Sequence, residues 1–111
     1  MIKMTGAKVV EVPTGVDQDY KVNISQLDAA VTDRSKLILI CNPSNPTGSV
    51  YSPDELDELA SWLAKHPNLF IVSDEIYEHT IFEGPYNSFC TYSDLADRTA
   101  IVGGISKAYA M

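Results

Sequence analysis

The sequence has 111 residues, 45% of them hydrophobic and 21% charged, which suits one small globular domain with a single core. Its formal net charge of -7 disfavours nucleic-acid backbones and anionic membrane surfaces as partners. The two cysteines, Cys41 and Cys90, are too few for a disulfide framework and lack metal-site spacing, and no apolar stretch could span a bilayer or serve as a signal peptide. We therefore expect a cytosolic protein without a metal site.

The first part of the chain predicts two strands with a short helix between them. Residues 7–13 read as a strand because Val9, Val10 and Val12 are β-branched, and residues 24–31 predict one or two helical turns. Residues 36–41 form an uninterrupted apolar run, which is typical of a central strand covered on both faces.

The clearest predicted helix begins at Ser52, where Ser-Pro-Asp-Glu supplies an N-cap, a proline at the first helical position and a glutamate at the third. The apolar residues that follow recur at helical spacing and define one buried stripe, flanked by Trp62: Leu56, Leu59, Ala60 and Leu63. We expect this helix to end near Lys65, before Pro67.

The second part predicts a strand at residues 69–74, a helical turn at 93–97 and a strand at 99–104. Alternating strands and helices are the signature of an α/β fold with a mostly parallel sheet and helical crossovers. No repeat or linker divides residues 1–111, so we expect one domain. The order of the strands is not readable from the sequence.

Polar clusters follow three of the predicted strands, and they contain Asn45, Asp74, Tyr77 and Lys107. In parallel sheets, ligands bind outside the carboxyl ends of the strands, so these side chains share one site if the strands are neighbours. The loop that carries Asn45 lacks the lysine and glycine spacing of a P-loop, and its two Asn-Pro bonds favour extended or cis geometry that fixes the amide in space.

Each of the four residues also has an ordinary structural interpretation. Asp74 could cap the turn that follows it, Tyr77 could be a packed aromatic, and Lys107 could be a solvated surface lysine. The loop around Asn45 could be a plain turn. A desolvated Lys107 would instead have a lowered pKa and a nucleophilic amine.

Taken together, the four residues suit an aromatic aldehyde such as pyridoxal phosphate. A lysine forms a Schiff base, an aspartate keeps a pyridine nitrogen protonated, and a tyrosine and an asparagine donate to a phenolate oxygen. The segments "NPSNPTG", "SDEIY" and "SKAYAM", in this order and spacing, resemble the pyridoxal-phosphate-dependent class I/II aminotransferases of the aspartate aminotransferase fold.

The resemblance implies a role for each residue. Lys107 corresponds to the Schiff-base lysine, Asp74 to the partner of the pyridinium nitrogen, and Asn45 and Tyr77 to the donors at the cofactor's 3-hydroxyl. Ser106 corresponds to a candidate phosphate contact. The Asn45-Pro46 bond corresponds to a cis peptide of the family.

Family members are much longer than this chain, so the resemblance implies a central part of the large, cofactor-binding domain. The parent is expected to be a homodimer that transfers an amino group between an amino acid and a 2-oxo acid, and residues 1–111 alone are expected to show little or no activity. Which amino acid the parent takes is not encoded in this segment.

Two alternatives remain open. Carbon-sulfur lyases and aminocyclopropane-carboxylate synthases of the same fold use a similar lysine, aspartate and Asn-Pro loop, and product analysis separates them from aminotransferases. The chain could instead be a non-catalytic α/β fragment that self-associates through strand edges and apolar faces, which a cofactor titration would reveal.

Overall fold

A computed structural model describes residues 2–111. Three parallel strands form one sheet in the order β1 (Leu37–Cys41), β2 (Phe70–Asp74) and β3 (Thr99–Val102). Cys41 pairs with Asp74, and Asp74 pairs with Val102, so the carboxyl ends of all three strands lie at one edge of the sheet. The prediction of an α/β fold with a parallel sheet is confirmed.

In the part of the chain that the structure describes, four α-helices accompany the sheet: α1 (Ile24–Ala30), α2 (Pro53–Ala64), α3 (Ser93–Ala96) and α4 (Ile105–Tyr109). The first three were predicted from the sequence. Residues 2–111 also contain four single turns of 3-10 helix, two before α1 at Ile2–Thr5 and Val16–Gln18 and two between β2 and α3 at Glu78–Thr80 and Phe89–Thr91. None of the helices in residues 2–111 has the length and apolar character needed to cross a bilayer.

The start of α2 has the predicted capping box. The Ser52 hydroxyl oxygen accepts from the Glu55 backbone N–H at 3.3 Å, while the Glu55 carboxylate accepts from the Ser52 backbone N–H at 2.6 Å. Pro53 occupies the first helical position, where its missing N–H costs nothing. The predicted stripe is buried, and the helix ends at Ala64 with Lys65 as its C-cap.

The core lies between one face of the sheet and the helices. Ile40 and Ile71 contribute from the strands, Leu27 from α1 and Leu95 from α3, and the buried stripe of α2 fills the centre. Trp62, also in α2, is buried and donates its indole N–H to the Asp28 carboxylate at 2.7 Å, which joins α2 to α1. The core therefore joins β1 and β2 to α1, α2 and α3.

Residues 2–111 lack one of the predicted strands, and another strand is present but lies at the edge of the sheet. Residues 7–13 are irregular rather than a strand, and Val10 is 56% exposed. Within residues 2–111, no strand lies beside this segment, and a single extended segment without a partner has no ladder to satisfy its backbone. β1 is an edge strand rather than a central one, and its Leu37 and Leu39 are about half exposed.

Candidate functional site

The chain leaves all three strands at the same edge of the sheet, and each exit leads into one of the predicted polar clusters. β1 leads into the loop 42–51, β2 ends at Asp74, and β3 leads through Gly103 and Gly104 into α4. The Asn42 backbone N–H donates to the Asp74 carbonyl oxygen at 3.0 Å, and the Glu75 N–H donates to the Val102 carbonyl oxygen at 2.8 Å. The ladder therefore continues past the last strand residues and holds the three exits together.

The loop 42–51 is a compact turn held by its own hydrogen bonds. The Ser44 N–H donates to the Ser49 carbonyl and the Gly48 N–H to the Ser44 carbonyl, both at 2.9 Å. Gly48 has a φ of 76°, in the left-handed region where a side chain would be strained. The Asn45-Pro46 peptide bond is cis, as predicted, and so is Asn42-Pro43.

Asn45 and Tyr77 meet directly although they lie 32 residues apart. The Asn45 side-chain amide donates to the Tyr77 hydroxyl oxygen at 3.1 Å. Asn45 is exposed and Tyr77 is partly buried, so both polar ends are accessible from the edge of the sheet. The pair presents two hydrogen-bond donors, an amide N–H and a phenol O–H, beside each other.

Asp74 is partly buried and ends β2. Its Oδ1 accepts from the Ile76 backbone N–H at 3.3 Å, so the residue does serve the following turn, as its ordinary interpretation requires. Within residues 2–111, Oδ2 makes no hydrogen bond. One carboxylate oxygen thus steadies the turn while the other is available to a ligand.

The Cys41 side chain interacts with both Asp74 and the loop that carries Asn45. The thiol donates to the Pro43 carbonyl oxygen at 3.3 Å. Burial raises the pKa of the Cys41 thiol, the Asn45 backbone N–H partly offsets this by a hydrogen bond, and the negative charge of Asp74 raises it further. The Cys41 thiol therefore lies close to both the Asp74 carboxylate and the Asn45 backbone, which places these two groups near each other.

Lys107 and Ser106 lie in α4, which follows β3, and both are exposed. Across residues 2–111 neither side chain forms a hydrogen bond or an ion pair. The Tyr109 ring meets the His79 ring edge-on at 5.6 Å between centroids, which joins α4 to the turn that follows Tyr77. The fold brings Asn45 and Tyr77 into contact and places Asp74 and Lys107 at the same edge of the sheet, where these two form neither a hydrogen bond nor an ion pair with each other.

Sequence reasoning missed Glu75, which is only 2% exposed. Its Oε1 accepts from the Ser73 hydroxyl at 2.7 Å, the Ser88 hydroxyl at 2.9 Å and the Phe89 backbone N–H at 3.4 Å. Two acids in a row at the end of a strand point to opposite faces, so the pair Asp74-Glu75 was itself the available signal that one of them turns inward.

Known proteins resemble the whole chain. The family model for aminotransferase class I and II matches residues 1–111. A bifunctional aspartate aminotransferase and glutamate/aspartate-prephenate aminotransferase of Petunia hybrida is 41% identical over 112 aligned positions, which cover 100% of this chain and 23% of the relative. An aspartate/prephenate aminotransferase of Nitrosomonas europaea is 38% identical, and 100% of this chain covers 28% of that protein.

Solved structures agree with these matches. The Thermus thermophilus aspartate aminotransferase with maleate superposes with a TM-score of 0.90 at 35% identity, over 99% of this chain and 28% of that one. The aromatic aminotransferase from Pyrococcus horikoshii gives a TM-score of 0.86 at 37% identity, over 92% and 27%. The chain thus spans about a quarter of the length of the relatives that it matches.

Proposed function

Because the chain belongs to the class I and II aminotransferase family, we propose that residues 1–111 form a central part of the cofactor-binding domain of a larger enzyme. That enzyme would use pyridoxal phosphate to transfer an amino group between an amino acid and a 2-oxo acid. The observation that carries the proposal is the hydrogen bond between Asn45 and Tyr77, which places two donors beside the strand end that carries Asp74.

The donor set matches the chemistry of this cofactor. Asn45 and Tyr77 offer N–H and O–H donors that suit the ring oxygen of pyridoxal phosphate, and Asp74 offers an acceptor that suits a protonated ring nitrogen. Lys107 supplies a primary amine for the aldehyde, and Ser106 beside it supplies a hydroxyl for the phosphate. When bound, the cofactor supplies a protonated pyridine ring that withdraws electrons from the α-carbon of the amino acid.

The side chains divide the remaining work. The negative charge of Asp74 stabilises the proton on the ring nitrogen, since an opposite charge nearby favours the charged form. Asn45 and Tyr77 orient the ring by donating to its oxygen. The neutral form of the Lys107 amine accepts the α-proton of the amino acid at Nζ and later gives a proton back as the product forms. Lys107 is therefore the general acid-base.

A segment exchange tests this function. Residues 1–111 would replace the matching segment of the Thermus thermophilus aspartate aminotransferase, and glutamate formation from 2-oxoglutarate would be measured with a panel of amino acids. We expect transfer activity that Lys107→Ala lowers by about 10³-fold or more, because the amine is both the covalent anchor and the base. Lys65→Ala, at the exposed end of α2, is the matched control and should leave the activity unchanged.

The products distinguish the alternatives. Equal amounts of a new 2-oxo acid and glutamate support transamination, whereas pyruvate with free ammonia would support the carbon-sulfur lyase alternative. The names of the relatives, aspartate and aspartate/prephenate aminotransferases, make aspartate the first amino donor to try. A homodimeric, cytosolic enzyme remains our prediction, and light scattering of the complete protein would test the dimer.

A further inference from the structure

A buried polar network lies under the proposed site and has no part in the roles assigned so far. Its centre is the Glu75 carboxylate, which is 2% exposed and accepts from the hydroxyls of Ser73 and Ser88 and from the Phe89 backbone N–H. A buried carboxylate is strongly unfavourable unless donors compensate it. Three donors on one oxygen therefore fix this side chain in a single position.

Glu75 follows Asp74 directly, and the two side chains leave β2 toward opposite faces. Ser73 and Glu75 lie on the core side, since they are two residues apart and bonded to each other, while Asp74 lies on the other side. The backbone between them is held on both sides, by the Asn42 N–H at the Asp74 carbonyl and by the Glu75 N–H at the Val102 carbonyl. Anchoring the Glu75 side chain thus fixes the direction in which Asp74 leaves the sheet.

Tyr86 connects this network to the loop that carries Asn45. Its hydroxyl donates to the Asn42 carbonyl oxygen at 3.4 Å, a long hydrogen bond. Burial raises the pKa of Tyr86, and a hydrogen bond to the Glu75 carboxylate and its charge raise it further, so the phenol stays protonated. The Glu75 carboxylate therefore lies near the Tyr86 hydroxyl, whose proton is donated to the Asn42 carbonyl oxygen.

Asn42 connects Tyr86 to the loop 42–51. Its side chain is 2% exposed, and its Oδ1 accepts from the Tyr51 backbone N–H at 3.1 Å, across the loop 42–51. Asn45 lies three residues further on in the same loop. The position of the Asn45 amide is therefore tied to Tyr86 through the backbone of Asn42.

We propose that Glu75 is a positioning residue for the cofactor ring, acting on Asp74 through the backbone and on Asn45 through Tyr86 and Asn42. The identity of the ligand in this inference rests on the proposed function, whereas the contacts of Glu75, Tyr86 and Asn42 do not depend on it. Glu75 would touch neither cofactor nor substrate. It sets the relative position of the ring-nitrogen acceptor and the ring-oxygen donors.

The test uses the full 111-residue chain and two variants. Glu75→Gln keeps the shape and one acceptor oxygen but removes the charge, and Tyr86→Phe removes only the hydroxyl. Tyr92→Phe is the matched control, because it removes a hydroxyl that donates to Asp57 at 2.7 Å, outside the network. The first measurement, made without cofactor, is the ¹H–¹⁵N signal pair of the Asn45 side-chain amide, and the second is pyridoxal phosphate affinity from its absorbance.

We expect the Asn45 amide signals to move in Glu75→Gln and Tyr86→Phe but not in Tyr92→Phe. We also expect the affinity for pyridoxal phosphate to fall by roughly tenfold in Glu75→Gln and Tyr86→Phe only. Asn45 signals that stay in place in Tyr86→Phe would overturn the inference, even if Glu75→Gln fails to fold. If the signals move while no form of the chain binds pyridoxal phosphate, the contacts are supported and the claim that residues 1–111 hold the cofactor through these side chains is overturned.

Discussion

Asp74 is the residue on which the proposed chemistry depends most. Its Oδ1 is occupied by the Ile76 N–H, so the proposed role falls to Oδ2. In the segment-exchange enzyme, we expect Asp74→Ala to lower kcat/KM by about 10³-fold, because only a protonated ring withdraws electrons strongly. Asp33→Ala, an exposed loop position, is the control. Steady-state kinetics that place the two variants within a few-fold of each other would remove Asp74 from the mechanism.

The Glu55 carboxyl, which lies outside the proposed site, has a lowered pKa and therefore makes stability depend on pH. Burial tends to raise its pKa, but the Ser52 N–H and the Lys21 ammonium, 3.0 Å away, outweigh this and lower the pKa below 4.5. A lowered folded-state pKa means that the stabilisation is present above the unfolded value of 4.5 and is lost as the pH falls through the folded value.

Thermal unfolding between neutral and acidic pH tests this sign. We expect Glu55→Gln to flatten the fall in Tm below about pH 4.5, since the amide still caps α2 but has no charge to lose. Glu58→Gln changes an exposed glutamate of the same helix and should leave the curve parallel to that of the unaltered chain. Parallel curves for both variants would show that the Lys21-Glu55 pair does not contribute.

At the scale of the elements, Arg98 stabilises the connection between the end of α2 and the start of β2. Its guanidinium donates to the carbonyl oxygens of Leu63 at 2.6 Å, Leu69 at 2.6 Å and His66 at 3.2 Å, and so satisfies the end of α2 and the start of β2. Arg98→Ala leaves these carbonyls without the donor, and we expect it to lower the free energy of unfolding by about 3 kcal/mol.

Urea denaturation measures the Arg98 effect against Arg34→Ala, which removes an exposed guanidinium and should change the free energy of unfolding by less than about 0.5 kcal/mol. Arg98→Lys is expected to fall between them, since an ammonium keeps the charge but lacks the planar fork that reaches three acceptors. Equal midpoints for the two alanine variants would contradict the assigned role.

The sequence predicted elements well where the signal was local. The N-cap at Ser52 and the apolar spacing from Leu56 to Leu63 gave α2 its bounds, because both act within a few residues. Residues 7–13 failed since strand formation depends on a partner that local sequence does not reveal. The four candidate site residues were predicted from their place after strands, whereas which of the two acids Asp74 and Glu75 turns inward depends on the register of the sheet.

At the scale of the whole molecule, one face of the sheet is not covered by any element of residues 2–111. Residues of this face are close to half exposed, and they lie side by side in the register: Leu37, Leu39, Phe70 and Val102. Exposed apolar faces and strand edges favour association. We therefore expect the isolated chain to form concentration-dependent oligomers in light scattering.

Two variants locate that contact. Leu39→Lys places a charge in the middle of the open face and should shift the chain toward monomers. Phe82→Lys changes a residue that is 97% exposed but lies in a loop, so the oligomers should persist. An unaltered chain that is monomeric at every concentration tested would mean that the open face does not drive association.

We propose above all that Asn45, Asp74, Tyr77 and Lys107 together hold pyridoxal phosphate. The most direct measurement is to incubate the 111-residue chain with a limiting amount of the cofactor, trap the lysine adduct by borohydride reduction and map it by peptide mass spectrometry. We expect Lys107 to take most of the label and Asp74→Ala or Asn45→Ala to lower this share. Label spread evenly over Lys36, Lys65 and Lys107, unaffected by either substitution, would contradict it.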